Sequence, residues 1–184
     1  MVTTKSIPAV FLDRDGVLSR TFIRNGKSYA PLHKEDFKLM PNSSRSVKML
    51  KENGYKVIVV TNQPDIGHGK VTLDVVEAMH EKLREKTKVD DVYLCAHRQD
   101  EGCECRKPKP GMLFNASEKY GLDLSNSFMV GDRASDIEAG KKAGCRTIFI
   151  NRHYAEPRPI NQDVTVNSLQ KAVNYILSNK HTSL

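Results

Sequence analysis

Val10-Phe11-Leu12-Asp13-Arg14-Asp15-Gly16-Val17 reads as a short buried strand that ends in two carboxylates and a glycine. Alternate residues of a strand point the same way. Asp13 and Asp15 therefore leave the strand end side by side, and Gly16 lets the chain turn sharply after them. Two like charges so close are costly unless a cation lies between them or one stays protonated. Such a pair serves as a magnesium site with a nucleophile and an acid/base. It also occurs as a plain surface pair in a turn, so the decision rests on the residues downstream.

Those residues alternate between strand and helix. After a first strand at 9–12, strands are expected at 56–60, 91–94, 128–130 and 147–150. Helices are expected at 43–52, 73–86, 112–120, 137–143 and 169–177, the first capped by Asn42 or Ser43 and stopped by Gly54. Residues 65–70 read as a turn. Residues 19–41 show no period, and Arg20, Arg24, Asn25-Gly26, Lys27 and Pro31 suggest a polar loop beside the carboxylates. Its basic residues are candidates to line a substrate. This alternation predicts an α/β fold: an open, Rossmann-like parallel sheet with helices on both faces, in one domain over residues 1–184.

Ligands of such sheets bind beyond the carboxyl ends of the strands. The polar clusters fall there: Asp13 and Asp15 after the first strand, Thr61-Asn62 after the second, Arg106-Lys107 in the loop after the third, Asp132 after the fourth. Asp13, Asp15 and Asp132 offer hard oxygen ligands to one magnesium, with Asp13 as nucleophile and Asp15 as acid and then base. Lys107 would neutralise the transferring phosphoryl group and the Thr61 hydroxyl would hold its oxygens. Asp136 is placed to orient Lys107 or to reach metal-bound water. Each residue has a plainer reading as a strand end, a turn or a cap, and Lys109 competes with Lys107. Taken together, four such clusters on one rim favour the site.

Composition narrows the class. A net charge of +7 admits nucleic acid, yet Lys and Arg are spread along the chain with few aromatics between them. A rim that attracts small phosphorylated anions accounts for the charge equally well. No apolar stretch is long enough to cross a membrane and the first eight residues lack a signal-peptide core, so a cytoplasmic protein is expected. Three of the four cysteines crowd into 95–105. Cys95, His97, Cys103 and Cys105 form the ligand set of a closed structural zinc site, which would shape the loop that delivers Arg106 and Lys107. Cys145 reads as core.

Asp13-Arg14-Asp15-Gly16-Val17, Thr61-Asn62-Gln63, Arg106-Lys107-Pro108, and Gly131-Asp132-Arg133 with Asp136 resemble the four motifs of the haloacid dehalogenase-like phosphatases. With the zinc loop, the chain is most similar to the branch acting on heptose bisphosphates and histidinol phosphate, over about residues 10–150. The resemblance implies an aspartyl-phosphate on Asp13, Asp15 as proton donor, magnesium on Asp13, Asp15 and Asp132, and Lys107 rather than Lys109 as the functional lysine. It implies substrate contacts from Asn62, Gln63, Arg106 and Arg133, beside Arg24 of the polar loop. Two departures stand out: Pro64-Asp65 where the family usually has Ser-Gly, and Arg133 where some members have Lys.

The intervals between motifs leave room for a helix and a loop but no large cap domain, so an open site is expected, suited to a substrate with two phosphates. The leading expectation is removal of the 7-phosphate from a heptose bisphosphate, toward an activated heptose for surface polysaccharide. Histidinol phosphate and a polynucleotide 3′-phosphate are the rival substrates, and a non-enzymatic zinc module is the rival class. A small phosphorylated sugar is the expected partner, with neither membrane nor nucleic acid, and a monomer the expected state.

Overall fold

The computed structural model of the chain describes residues 7–179. Six parallel strands form one sheet in the order β5-β4-β1-β6-β7-β8. They are β1 (Ile7–Leu12), β4 (Lys56–Asn62), β5 (Asp91–Cys95), β6 (Leu122–Gly131), β7 (Arg146–Ile150) and β8 (Val164–Val166). The helices are α1 (Ser43–Glu52), the single turn α2 (Pro64–Gly67), α3 (Leu73–Thr87), α4 (Gly111–Tyr120), α5 (Ala134–Lys142) and α6 (Leu169–Ser178). A separate hairpin, β2 (Phe22–Arg24) with β3 (Lys27–Tyr29), lies between β1 and α1.

The strands alternate faces residue by residue. Val10 and Leu12 of β1, with Val57 and Val59 of β4, pack under Val47 and Leu50 of α1, Met79 and Leu83 of α3, and Val173 and Ile176 of α6. Ala9, Phe11, Ile58 and Val60 turn to the other face, against Met112, Leu113 and Ala116 of α4 and Ala139 of α5. A strand covered on both faces has no polar alternation, which is why β1 and β4 read as continuous apolar runs. The four residues Ala9 to Leu12 are completely buried, and Asp13 follows them at the carboxyl end of the strand, itself buried.

Three elements depart from the sequence reading. Residues 19–41 are not a plain loop but hold the hairpin and a 3-10 turn (Lys34–Asp36), after which Phe37 is fully buried. The hairpin closes on Asn25 and Gly26 with φ of 50° and 73°, the left-handed pair that a two-residue turn requires. β8 is an extra edge strand, held where Asp163 accepts from the backbone N–H and hydroxyl of Thr147 at 2.7 and 2.8 Å. β6 begins earlier than expected, and its pairing with β1 slips between Pro8 and Val10. Among the described residues no helix is long and apolar enough to cross a membrane.

Candidate active site

The carboxyl ends of β1, β4 and β6 meet at a cavity of about 430 Å³. Asp13, Asp15, Thr61, Asn62, Arg106, Lys107 and Arg133 all line it. Asp136 lines it too, and Asp132 lies behind it, almost wholly buried.

Lys107 is the centre of the arrangement. Its Nζ lies 2.8 Å from Asp13 Oδ1 and 2.7 Å from Asp136 Oδ1, and it donates to the Val60 carbonyl at 2.7 Å. Burial disfavours an ammonium, but the Asp13 and Asp136 carboxylates outweigh it and hold the Lys107 pKa above the ordinary lysine value. Lys109 points elsewhere, to Glu104 and the Gly102 carbonyl. Asp136 stands at the start of α5, where Oδ2 accepts the N–H groups of Asp132 and Arg133 at 3.1 and 3.0 Å. Both of its oxygens are thus engaged, one with the α5 entry and one with Lys107.

Asp13 is pushed up to a pKa of about 6, chiefly by burial, with Lys107 opposing and Asp136 and Asp15 adding to the rise. Asp132 is also raised, well above the ordinary carboxylate value, by burial and by the neighbouring Asp13 and Asp136 charges. Neither Asp132 oxygen has a donor in hydrogen-bond geometry, although the Tyr154 hydroxyl is near enough to oppose the shift. A buried carboxylate without donors is costly, and a divalent cation satisfies it. The oxygens of Asp13, Asp132 and Asp136 lie within 4.8 Å of one another, a hard-oxygen set that fits magnesium. Gly16, at φ 88°, turns the chain directly over Asp132, and a side chain there would collide with the Asp132 carboxylate.

Of the expected magnesium ligands Asp13, Asp15 and Asp132, the first and last belong to this group. The Asp15 carboxylate is not in the group, because other side chains draw it aside. Arg14 Nε and Nη2 donate to Asp15 Oδ2 at 3.0 and 2.8 Å, Gln63 Nε2 donates to the same oxygen at 2.7 Å, and the Ser19 hydroxyl reaches Oδ1 at 3.0 Å. Gln63 also donates to Thr61 Oγ1 at 2.9 Å, so the Thr61 hydroxyl keeps its own proton to give to a ligand. Gln63 is buried beneath the floor and does not line the cavity. Arg24 lies outside it as well, over the Tyr29 ring of the hairpin.

Sequence reasoning passed over the segment that follows β7. Arg152 Nε donates to the Gly16 carbonyl at 2.8 Å, and the Tyr154 hydroxyl is 3.4 Å from Thr21 Oγ1. Ala155 N–H donates to the Gly26 carbonyl at 2.8 Å. Glu156 Oε1 accepts from Ser28 N–H at 3.0 Å and lies 3.5 Å from Arg133 Nη2. Residues 152–156 therefore strap the hairpin onto the Asp132 side of the cavity. Polar residues flanking two prolines carried no periodic signal from which this could be read.

On the loop after β5, Cys95, His97, Cys103 and Cys105 bring their ligand atoms within 4.8 Å of one another. The Cys95, Cys103 and Cys105 sulfurs are 3.1 to 3.6 Å apart, and His97 Nδ1 is 3.2 Å from Cys105 Sγ. All three thiols are free of disulfides. Tetrahedral zinc with bonds near 2.3 Å sets its sulfurs about 3.8 Å apart, so a slight expansion seats the ion. Cys145 is buried against the α4–α5 face of the sheet.

A family model described as HAD-hydrolase-like matches residues 104–172. The chain is 38% identical over 149 residues to a D-glycero-beta-D-manno-heptose-1,7-bisphosphate 7-phosphatase of Pseudomonas aeruginosa, covering 77% of this chain and 79% of that one. It is 33% identical over 177 residues to a D-glycero-alpha-D-manno-heptose-1,7-bisphosphate 7-phosphatase of Photorhabdus laumondii, covering 89% and 93%. In fold it is similar to a D,D-heptose 1,7-bisphosphate phosphatase from B. bronchiseptica, crystallised with magnesium and phosphate. That match has a TM-score of 0.82 at 24% identity over 94% of this chain and 99% of the other.

Proposed function

Because the chain belongs to the haloacid dehalogenase-like phosphatases, we propose that it removes the 7-phosphate of D-glycero-D-manno-heptose 1,7-bisphosphate and leaves the 1-phosphate. The observation that carries the chemistry is the meeting of Asp13, Lys107, Asp132 and Asp136 at the buried base of an open cavity. Similarity to the heptose bisphosphate phosphatases selects the sugar. The product would feed nucleotide-activated heptose and lipopolysaccharide synthesis.

Asp13 is the nucleophile. With a pKa of about 6 it is mostly ionised at neutral pH, and it attacks phosphorus while the phosphorus–oxygen bond to the sugar breaks, giving an aspartyl-phosphate. Asp15 donates a proton to the departing sugar oxygen, then takes one from the water that hydrolyses the acyl phosphate, so one carboxyl serves both halves. Lys107 and the Thr61 hydroxyl neutralise and hold the phosphoryl oxygens in a pocket already organised before substrate arrives. Asp13 and Asp132 would hold magnesium beside Asp136, with Asp15 offering a main-chain oxygen at most. Bound there, the ion supplies positive charge to the transferring phosphoryl group.

The second phosphate has partners toward the rim. Arg106 carries a buried Nη1 with no acceptor, and Lys70 and His68 line the same cavity. Asn62 holds the Lys107 main chain and Gln63 holds Asp15, so both also act on the substrate through those neighbours. Zinc held by Cys95, His97, Cys103 and Cys105 would be structural, since four protein ligands leave no open position. The reading is tested by turnover on the α and β heptose bisphosphates beside histidinol phosphate. Preference for either heptose anomer by a factor of ten or more in kcat/KM supports it, and preference for histidinol phosphate overturns it.

A further inference from the structure

Arg14 stands between the two aspartates of the first motif, and its guanidinium is completely buried. A buried guanidinium has to find acceptors for its N–H groups and a partner for its charge. Nε and Nη2 both reach Asp15 Oδ2, the Phe37 ring lies 5.5 Å from Cζ, and Nη1 reaches His80 Nε2 at 3.1 Å. His80 comes from the middle of α3, is also completely buried, and faces Glu77 Oε1 with Nδ1 at 3.0 Å. The Glu77 side chain is 41% exposed, so this file of side chains runs from the protein surface to the cavity.

The chemistry fixes the protons along it. A guanidinium only donates, so His80 Nε2 accepts and the ring proton is on Nδ1, donated to Glu77. That is the neutral imidazole. Burial and then the Arg14 charge push the His80 pKa down to about 4, against the pull of Glu77, so the ring stays an acceptor at neutral pH.

We propose that His80 is a positioning residue for the acid/base step, holding Arg14 so that Arg14 fixes the carboxyl of Asp15. The inference rests on the role given to Asp15 above. Asp15 Oδ2 is crowded by three donors, two from Arg14 and one from Gln63, whereas Oδ1 meets only the Ser19 hydroxyl. The proton that Asp15 transfers is therefore carried on Oδ1, and the orientation of Oδ1 follows that of the guanidinium. Without an acceptor at residue 80, Arg14 Nη1 is buried and unpaired, the guanidinium rotates toward another partner, and Asp15 goes with it.

His80→Leu removes the acceptor at similar volume, and His80→Gln returns one as a carbonyl oxygen. kcat/KM should be measured on the heptose bisphosphate and on p-nitrophenyl phosphate, whose leaving group needs no protonation. H80L should lose about tenfold or more on the sugar ester and markedly less on the aryl ester, and H80Q should recover most of the loss. An equal loss on both esters, or none, overturns the proposal. Glu77→Ala, at a half-exposed position, should show the same leaving-group bias more weakly, which keeps the question decidable if H80L fails to fold. A second readout needs no turnover. The Arg14 Nε–H resonance should move in H80L, or in E77A, and return in H80Q; an unmoved resonance also overturns the proposal. A parent protein inactive on every phosphate ester would sink the proposed function, while the resonance would still decide the role of His80.

Discussion

Asn62 grips the main chain of Lys107 at two points: its Oδ1 accepts from Lys107 N–H at 3.1 Å, and its Nδ2 donates to the Lys107 carbonyl at 3.0 Å. The last residue of β4 thereby sets where the ammonium emerges, although Lys107 is carried on the loop that follows the Cys95–Cys105 cluster. Asn62→Asp keeps the acceptor and loses the donor. It should cost about 1 kcal/mol of stability and lower kcat at least tenfold with KM little changed, read by thermal melts and steady-state kinetics. A rise in KM with kcat intact would instead place Asn62 on the substrate.

Asp13→Asn should abolish turnover and the acid-stable trace of phosphoenzyme seen by mass spectrometry after quenching. The metal-free variant should melt higher than the parent, since one charge leaves a crowded buried cluster. Residual activity above about one part in a thousand would remove Asp13 from the nucleophile's place.

Magnesium should stabilise the protein more at alkaline pH than at acid pH. Asp13 and Asp132 both have folded pKa values above the ordinary 3.8, about 6 for Asp13 and well raised for Asp132. Between the unfolded and folded values the folded chain binds more protons, so metal-free stability from these groups is full below about pH 4 and is lost as pH rises through the folded values, about 6 for Asp13. A cation that holds both carboxylates ionised reverses that decline. The shift in Tm on adding magnesium should therefore grow from pH 5 to pH 8, and Asp132→Asn should flatten it.

Much of this was legible in sequence, for physical reasons. The strands carrying Asp13, Asn62 and Asp132 are buried on both faces, so their apolar runs and polar ends mark themselves. The gathering of Cys95, His97, Cys103 and Cys105 was legible because three thiols and an imidazole packed into eleven residues have few other uses. The placement of Asp15 was not. A strand's two-residue repeat would put its carboxyl beside Asp13, but the strand ends at Leu12, and Arg14 and Gln63 then decide the direction. The hairpin was signalled by Asn25-Gly26, a pair suited to a tight turn between strands, yet its strands are three residues long and mostly exposed. His80 sits among Met79 and Leu83 on the inner face of α3. Helical periodicity registers it as a polar interruption and cannot say what it meets.

Cys105→Ser should lower bound zinc, measured by plasma mass spectrometry, from one ion per chain, and should reduce both Tm and kcat. Cys105 immediately precedes Arg106 and Lys107, so a loop freed at Cys105 frees both cations. Loss of zinc with full activity would reduce the metal to a stabiliser of the loop's outer half.

Glu156→Ala should raise KM severalfold with a smaller change in kcat. Glu156 holds Ser28 N–H and faces Arg133, which connects the hairpin wall to the cavity but not to the reacting carboxylates. A fall in kcat alone would mean that the strap acts on the chemistry instead.

Because residues 152–156 bind both the turn after Asp15 and the hairpin near the beginning of the fold, the chain closes its own workplace late in synthesis. Nascent protein still lacking that segment would carry Asp13, Lys107 and Asp132, but the wall opposite them would stay untethered. Competence should thus require the strap to have been made, because the earlier motifs alone leave that wall untethered.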